Sequence, residues 1–356
     1  MKKKKIIIVT ISLGNDGAER VLSLLSSKFI DDGYEVIILQ TKPGYYGNGF
    51  RCDERISIVD LPYNGGNSTR RYFFEAKQLH DYLKRDQSAT VLAFLAQSIF
   101  ISVIAKIGLN NRLIVSERND PRRCPAKRIQ RIIRDISFHF ADQIVFQTKT
   151  VQHMFPRSIQ DKSVVIPNPV NPQLLEPYKG KRRHRIVTAG RLHPQKNLEM
   201  LFEAFALFHK QFDDYYLDVY GKGDLELKLK KKAKELGLSD KIIFHGFVTD
   251  LHEQIKDVAM YVCSSDYEGI SNSILEAMAM GIPTISTDCP IGGSSLLIKN
   301  RINGFLVPVG SIEEMFRAMI EIAEDLELAN KISRNAIKIR EKFDINKVAL
   351  EWEKIL

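Results

Sequence analysis

Residues 167–184 read PNPVNPQLLEPYKGKRRH, and how this stretch is read decides the architecture. Proline fixes φ and has no N–H to donate, so four prolines within eleven residues, set among asparagines and charges, stop any helix or interior strand that reaches them. On both sides the chain keeps one rhythm, in which short β-rich runs alternate with segments of helical period. Before the break come IIIVTI, EVIILQ, ISIVDL, TVLAFL, LIVSE, QIVFQT and SVVIPN; after it come RIVTAGR, YYLDVYG, KIIFHGF, AMYVCSS and PTIST. Such alternation predicts a parallel sheet covered by helices, and its interruption predicts two of them. The expected class is therefore α/β, with two Rossmann-like, doubly wound domains. The first spans residues 1–168, a linker spans 169–184, and the second domain spans 185–344. The closing helix, 345–356, within FDINKVALEWEKIL, is expected to pack back on the first domain.

Length supports this division, since 356 residues exceed one ordinary core and suit two of roughly 150 to 180 residues. The start, MKKKKIIIVTISLGND, imitates a signal peptide, but its apolar run is short and no small-residue cleavage site follows, so it reads as a first strand. In TVLAFLAQSIFISVIAKIGL, Gln97 and Ser98 interrupt the apolar run, which predicts a strand entering a buried helix rather than a membrane span. Cys52, Cys124, Cys263 and Cys289 are scattered without metal-ligand spacing, which fits a reducing cytoplasm and neither a disulfide framework nor a zinc site. The net charge of +9 is uneven: residues 1–170 have 26 Lys and Arg against 16 Asp and Glu, and the remainder has 26 against 27. In the second domain Leu198, Leu201, Phe202, Phe205 and Phe208 form a helical core stripe.

Three stretches have residues suited to chemistry. In GNDGAE, Gly14 and Gly17 lie between the first strand and a helix, so backbone N–H groups and the positive helix end face whatever sits there; a plain strand-to-helix turn has the same look. The glycines of YGKGD lack the third glycine of a dinucleotide fingerprint. In AGRLHPQKN, Arg191 and Lys196 occupy the loop after a strand, where two cations converge on a diphosphate or simply face water. In EGISNSILEAMAMGIPTIST, Ser271 and Asn272 are placed to cap a helix, and Glu276 lies among Ile274, Leu275, Ala277, Met278, Ala279 and Met280. A carboxylate buried there needs either sugar hydroxyls or an internal cation, and both readings stand.

Together GNDGAE, VIPNPV, AGRLHPQKN, YGKGD, HGFVTD, EGISNSILEAMAMGIPTIST and NGFLVPVG, in this order, resemble the retaining glycosyltransferases of family 4, subset of bacterial surface-polysaccharide and lipid-linked saccharide enzymes. The resemblance implies the GT-B fold with an interdomain cleft. By position it implies that Arg191 and Lys196 bind the donor diphosphate, that Glu276 holds the nucleotide ribose and that Glu268 contacts hydroxyls of the transferred sugar. It further implies that Gly14 and Gly17 close over the donor, that Phe247 and Val248 flank the nucleobase, and that Ser271 and Asn272 sit beside the phosphates. Many relatives have a histidine where this chain reads SERNDP, so Glu117, Arg118 and Asn119 become the acceptor-side candidates.

The expected reaction moves a hexose or N-acetylhexosamine from a UDP-sugar to a polyprenyl-diphosphate-linked saccharide. The cations and a helix dipole assist departure of the nucleotide diphosphate. No Asp-x-Asp occurs, so no metal and no cofactor is expected. Eight basic residues between Asn111 and Arg134 alternate with Ile129, Ile132, Ile133 and Ile136, giving a helix suited to an anionic membrane surface or a lipid diphosphate, or one simply packed on its own sheet. Aromatic-interleaved basic motifs are missing, which argues against nucleic acid. The expected location is cytoplasmic, peripheral on the inner face of the membrane. A nucleotide-sugar epimerase of the same fold and a non-catalytic nucleotide-sugar-binding scaffold are the alternatives.

Overall fold

The computed structural model describes residues 4–14, 17–42, 53–63 and 68–356. Asn15 and Asp16 of the glycine-rich loop, and Cys52, lie outside the described residues. The chain forms two compact units: Met1–Pro169 with Ile345–Leu356, and Val170–Asp344.

Among the described residues, the first unit contains β1 (Lys5–Thr10), β2 (Glu35–Gln40), β3 (Ser57–Asp60), β4 (Thr90–Phe94), β5 (Leu113–Ser116), β6 (Gln143–Phe146) and β7 (Ser163–Val165). They form one parallel sheet in the order β3-β2-β1-β4-β5-β6-β7. The order reverses beside β1, which is the doubly wound pattern. Helices on both faces explain why Ile6, Ile7, Ile8 and Val9 are all buried rather than alternately exposed. The stretch from Thr90 divides as its polar interruption predicts, into β4 and the helix Ala96–Ala105. The helix Ile345–Glu353 belongs to this unit and buries Ile345, Val348, Ala349 and Trp352, an i, i+3, i+4, i+7 stripe. Trp352 is fully buried and stacks on Phe94 at 5.7 Å between ring centroids; truncating such a side chain costs about 3–5 kcal/mol.

The second unit contains β8 (Arg183–Ala189), β9 (Tyr216–Tyr220), β10 (Ile242–Gly246), β11 (Val258–Cys263), β12 (Thr284–Thr287) and β13 (Phe305–Val307). These strands are parallel, in the order β10-β9-β8-β11-β12-β13. β8 starts at Arg183, inside the proline-rich stretch, because the Arg183 N–H is taken by the Asp257 carbonyl just before β11. The stripe Leu198, Leu201, Phe202, Phe205 and Phe208 lies on the helix Leu198–His209 and is buried throughout.

Candidate functional site

In open α/β sheets, ligands bind outside the carboxyl ends of the strands. In the second unit that edge is stitched together by the loops after β8 and β11. After Ala189 the chain turns through a short 3-10 helix, Pro194–Lys196, to Asn197, whose side chain accepts the Met200 N–H and starts the next helix. Gln195 Nε2 donates to the Tyr267 carbonyl at 2.8 Å, and its own carbonyl accepts the Asp266 N–H at 2.9 Å. Asn197 Nδ2 donates to Asp266 Oδ1 at 2.7 Å, and Ser264 Oγ donates to the Lys196 carbonyl at 2.7 Å. Two glycines bring the neighbouring loops close enough. At Gly221 (φ +123°) a Cβ would lie 1.9 Å from the Gly190 carbonyl oxygen, and at Gly293 one would lie 2.0 Å from that of Gly269.

These stitches hold the charged groups in place. Lys196 Nζ meets Glu268 Oε2 at 2.5 Å, and Ser265 Oγ donates to the same oxygen at 3.1 Å. Burial by itself pulls the Lys196 pKa down, but the Glu268 carboxylate more than reverses this, so the ammonium stays protonated well above neutrality. Arg191 and Lys196 line one small pocket with Gly190, Ser264 and Ser265. Its volume, about 10 Å³, is that of a single water. Of the two cations expected at this loop, Lys196 is paired with Glu268.

Glu276 is 5% exposed on the helix Asn272–Ala279, and its Oε2 meets His252 Nε2 at 3.0 Å. The internal partner is thus an imidazole from the helix Leu251–Ile255, a weaker commitment than a lysine or arginine. Ser271 holds the N-cap position of the Glu276 helix, but its hydroxyl turns to Ser273 Oγ at 3.0 Å and makes no cap bond. Asn272 is the first residue of that helix, so its first-turn N–H groups face outward from the strand ends. Phe247, partly exposed, and Val248, packed against the core of this unit, follow β10.

The remaining candidates belong to the first unit. Gly14 is buried just past β1, where the Leu13 N–H donates to Gln40 Oε1 at 2.6 Å; Gly17 opens the helix Gly17–Asp31. The three residues after β5 differ in role. Glu117 turns inward: Oε1 accepts the N–H groups of Arg118 and Asn119 at 3.0 and 3.2 Å, and Oε2 meets Arg134 Nη1 at 3.2 Å. Arg134 also donates to the Pro121 carbonyl at 2.9 Å and to Asp135 at 2.7 Å, so this residue of the basic helix organises the loop from within. Burial raises the Glu117 pKa and Arg134 opposes the rise. Asn119 Oδ1 accepts the Asp120 N–H at 2.8 Å. Arg118 is 7% exposed and lies over the rings of Phe94 and Trp352, at 4.5 and 5.4 Å from their centroids. Among the described residues no three His, Cys, Asp or Glu side chains gather as a metal ligand set.

Sequence reasoning overlooked His252, Gln195, Ser265, Gly293 and Arg134 as parts of these edges. Gly293 had a signal, in the doublet of PIGGSS; His252, Gln195 and Arg134 bear none, since each acts through a partner well separated in the chain, and Ser265 serves a near neighbour, Glu268.

The chain matches two family models, one described as Glycosyl transferases group 1 over residues 176–339 and one as Glycosyltransferase Family 4 over residues 15–174. It is 26% identical over 361 residues to an uncharacterized glycosyltransferase of Haemophilus influenzae, covering 99% of this chain and 100% of that one. It is 24% identical over 365 residues to the GalNAc-alpha-(1->4)-GalNAc-alpha-(1->3)-diNAcBac-PP-undecaprenol alpha-1,4-N-acetyl-D-galactosaminyltransferase of Campylobacter jejuni, covering 100% of this chain and 98% of that one. The crystal structure of Anabaena HepE in complex with UDP and glucose matches with a TM-score of 0.83 over 99% of both chains, at 17% identity, and shares the fold.

Proposed function

Since this chain belongs to glycosyltransferase family 4 and has the GT-B fold, we propose that it transfers a hexose or N-acetylhexosamine from a UDP-sugar to a polyprenyl-diphosphate-linked saccharide, with retention and without a metal ion. The observation that carries the reading is the edge after β8, where Arg191 and Lys196 line one pocket and Glu268 is held against Lys196. Two cations at strand ends suit a diphosphate whose negative charge grows as it leaves. Glu268, freed from Lys196 by the arriving phosphate, accepts from hydroxyls of the transferred sugar. Glu276, whose Oε2 meets His252, accepts from the ribose hydroxyls. In the step itself the bond from the anomeric carbon to the diphosphate oxygen breaks, and the acceptor oxygen bonds to that carbon on the same face. The acceptor proton passes to the departing diphosphate.

Two observations support the lipid-linked acceptor and an inner-membrane location. The Campylobacter relative is named for an undecaprenol diphosphate substrate. The helix Arg128–His139 exposes Ile129, Ile132 and Ile136, with Phe140 following, among Lys127, Arg128 and Arg131; such a face suits an anionic bilayer surface better than packing on its own sheet. Among the described residues no helix is long and apolar enough to cross a membrane.

The test incubates purified protein with a panel of nucleotide sugars, with and without lipid-diphosphate saccharides, and follows nucleotide release and product mass. Acceptor-dependent release with a heavier saccharide is expected. Isomerisation without acceptor identifies an epimerase, and saturable binding without product identifies a scaffold; either removes the reading.

A further inference from the structure

The geometry points to Arg118 as the seat of a phosphoryl group on the acceptor. This inference rests on the transferase reading above and adds a binding residue to it.

A guanidinium buried to this degree needs a counter-charge, because a low-dielectric surround disfavours an isolated cation. Burial lowers the Arg118 pKa to about 9, with Glu117 opposing, so the group remains charged at neutrality. Glu117 is the adjacent carboxylate, but both its oxygens are committed elsewhere, Oε1 to two backbone N–H groups and Oε2 to Arg134. What Arg118 does have is a neutral partner: Nη1 donates to Asn168 Oδ1 at 3.1 Å, an oxygen that also accepts from Gln147 Nε2 at 2.7 Å.

The two donors left over are buried and unpartnered, and they are Nε and Nη2. Those two form the side-on edge of the guanidinium, the fork that pairs with two oxygens of one oxyanion. Trp352 Nε1, on the ring beneath the same guanidinium, is a third buried donor without a partner. Water would satisfy the donors but leave the charge uncompensated, whereas a phosphoryl group meets both needs. The Nε and Nη2 fork matches the two non-bridging oxygens of one phosphate in the acceptor's diphosphate.

The placement agrees. Phe94 is the last residue of β4, Glu117 follows β5, Gln147 follows β6 and Asn168 lies beyond β7, so the seat is at the carboxyl edge of the first sheet. The adjoining Leu95 has φ +70°, a conformation that a leucine takes only where the surroundings impose it. Contact with the rings of Phe94 and Trp352 holds the guanidinium in place in advance, which cuts the ordering cost of binding.

The test compares wild type with R118M and R118K, with folding checked by circular dichroism. Transfer is measured to a lipid-diphosphate saccharide and to the same saccharide on a neutral alkyl carrier. R118M should raise KM for the diphosphate acceptor about tenfold or more and leave the neutral acceptor unchanged, with R118K between them because a point charge cannot fork. Equal loss with both acceptors, or no change with either, overturns the assignment. A second measurement does not depend on turnover. Inorganic pyrophosphate is titrated calorimetrically with UDP saturating, so that the donor residues are occupied. Binding by wild type and its loss in R118M, or in R118K should R118M not fold, support the seat even if no sugar transfer is found. Equal binding by both proteins, no binding by wild type, or tighter binding of glucuronate than of pyrophosphate overturns it.

Discussion

The carboxyl edges of the two sheets are built alike and charged differently. In the second unit Lys196 is answered by Glu268, and Glu276 is hydrogen-bonded to His252, each across two loops or helices. In the first unit the comparable loop spends its carboxylate on Arg134 and leaves Arg118 with a neutral amide. A self-compensated edge offers a ligand an exchange of partners, and its charges can be removed without upsetting the fold. An edge with surplus buried charge makes the fold itself depend on how that charge is placed.

The sharpest way to break this contrast is Arg134→Met. Removing the cation strands Glu117 in the interior, which costs about 3–5 kcal/mol. Urea unfolding should show a transition at clearly lower denaturant, and a midpoint equal to wild type would mean that the pair does not organise the loop. In the second unit, Lys196→Ala and Glu268→Ala should do the opposite. Turnover should fall about 10²- to 10³-fold, while the urea midpoint moves little because the partly exposed survivor is rescued by water and Ser265. A large loss of stability with turnover retained would reverse the comparison. The raised Lys196 pKa fixes the sign of one further reading: its contribution is complete below the pKa of the unfolded lysine and is lost only as pH rises through the higher folded value. The pair should therefore hold unchanged from pH 6 to about 9, and an acid-side loss of turnover would have another source.

The smallest expected effect concerns Glu75, 1% exposed on the helix Ser68–Leu83, with Arg71 Nε at 3.4 Å. Burial raises its pKa, and Arg71 opposes the rise. A raised folded pKa contributes stability at low pH that is lost as pH rises through it. Glu75→Gln should flatten that part of the stability profile, measured as urea midpoint against pH, and an unaltered slope would show that Glu75 titrates normally.

Much of the architecture is readable from residue order because apolar period and proline act locally. The run from Thr90 had to be a strand and then a helix once Gln97 interrupted it, and the Leu198 to Phe208 stripe had to face inward. Arg191, Lys196 and Glu276 stand out as candidates by type and setting, and Glu268 through the resemblance. Their partners do not. His252 reaches Glu276 across 24 residues and Lys196 reaches Glu268 across 72, separations set by how helices and loops settle on the sheet. The basic helix shows the same limit. Its period groups Arg134 with the other cations and leaves the isoleucines open between a membrane surface and the sheet, whereas Arg134 is buried and Ile129, Ile132 and Ile136 are exposed.

Trp352 arrives from Ile345–Leu356, so the first unit is sewn from two pieces of chain with all of Val170–Asp344 between them. On a ribosome, the second unit emerges whole and can close while the first still lacks its last helix. The part translated first is completed last, and until then Phe94 and Arg118 have no indole to rest against.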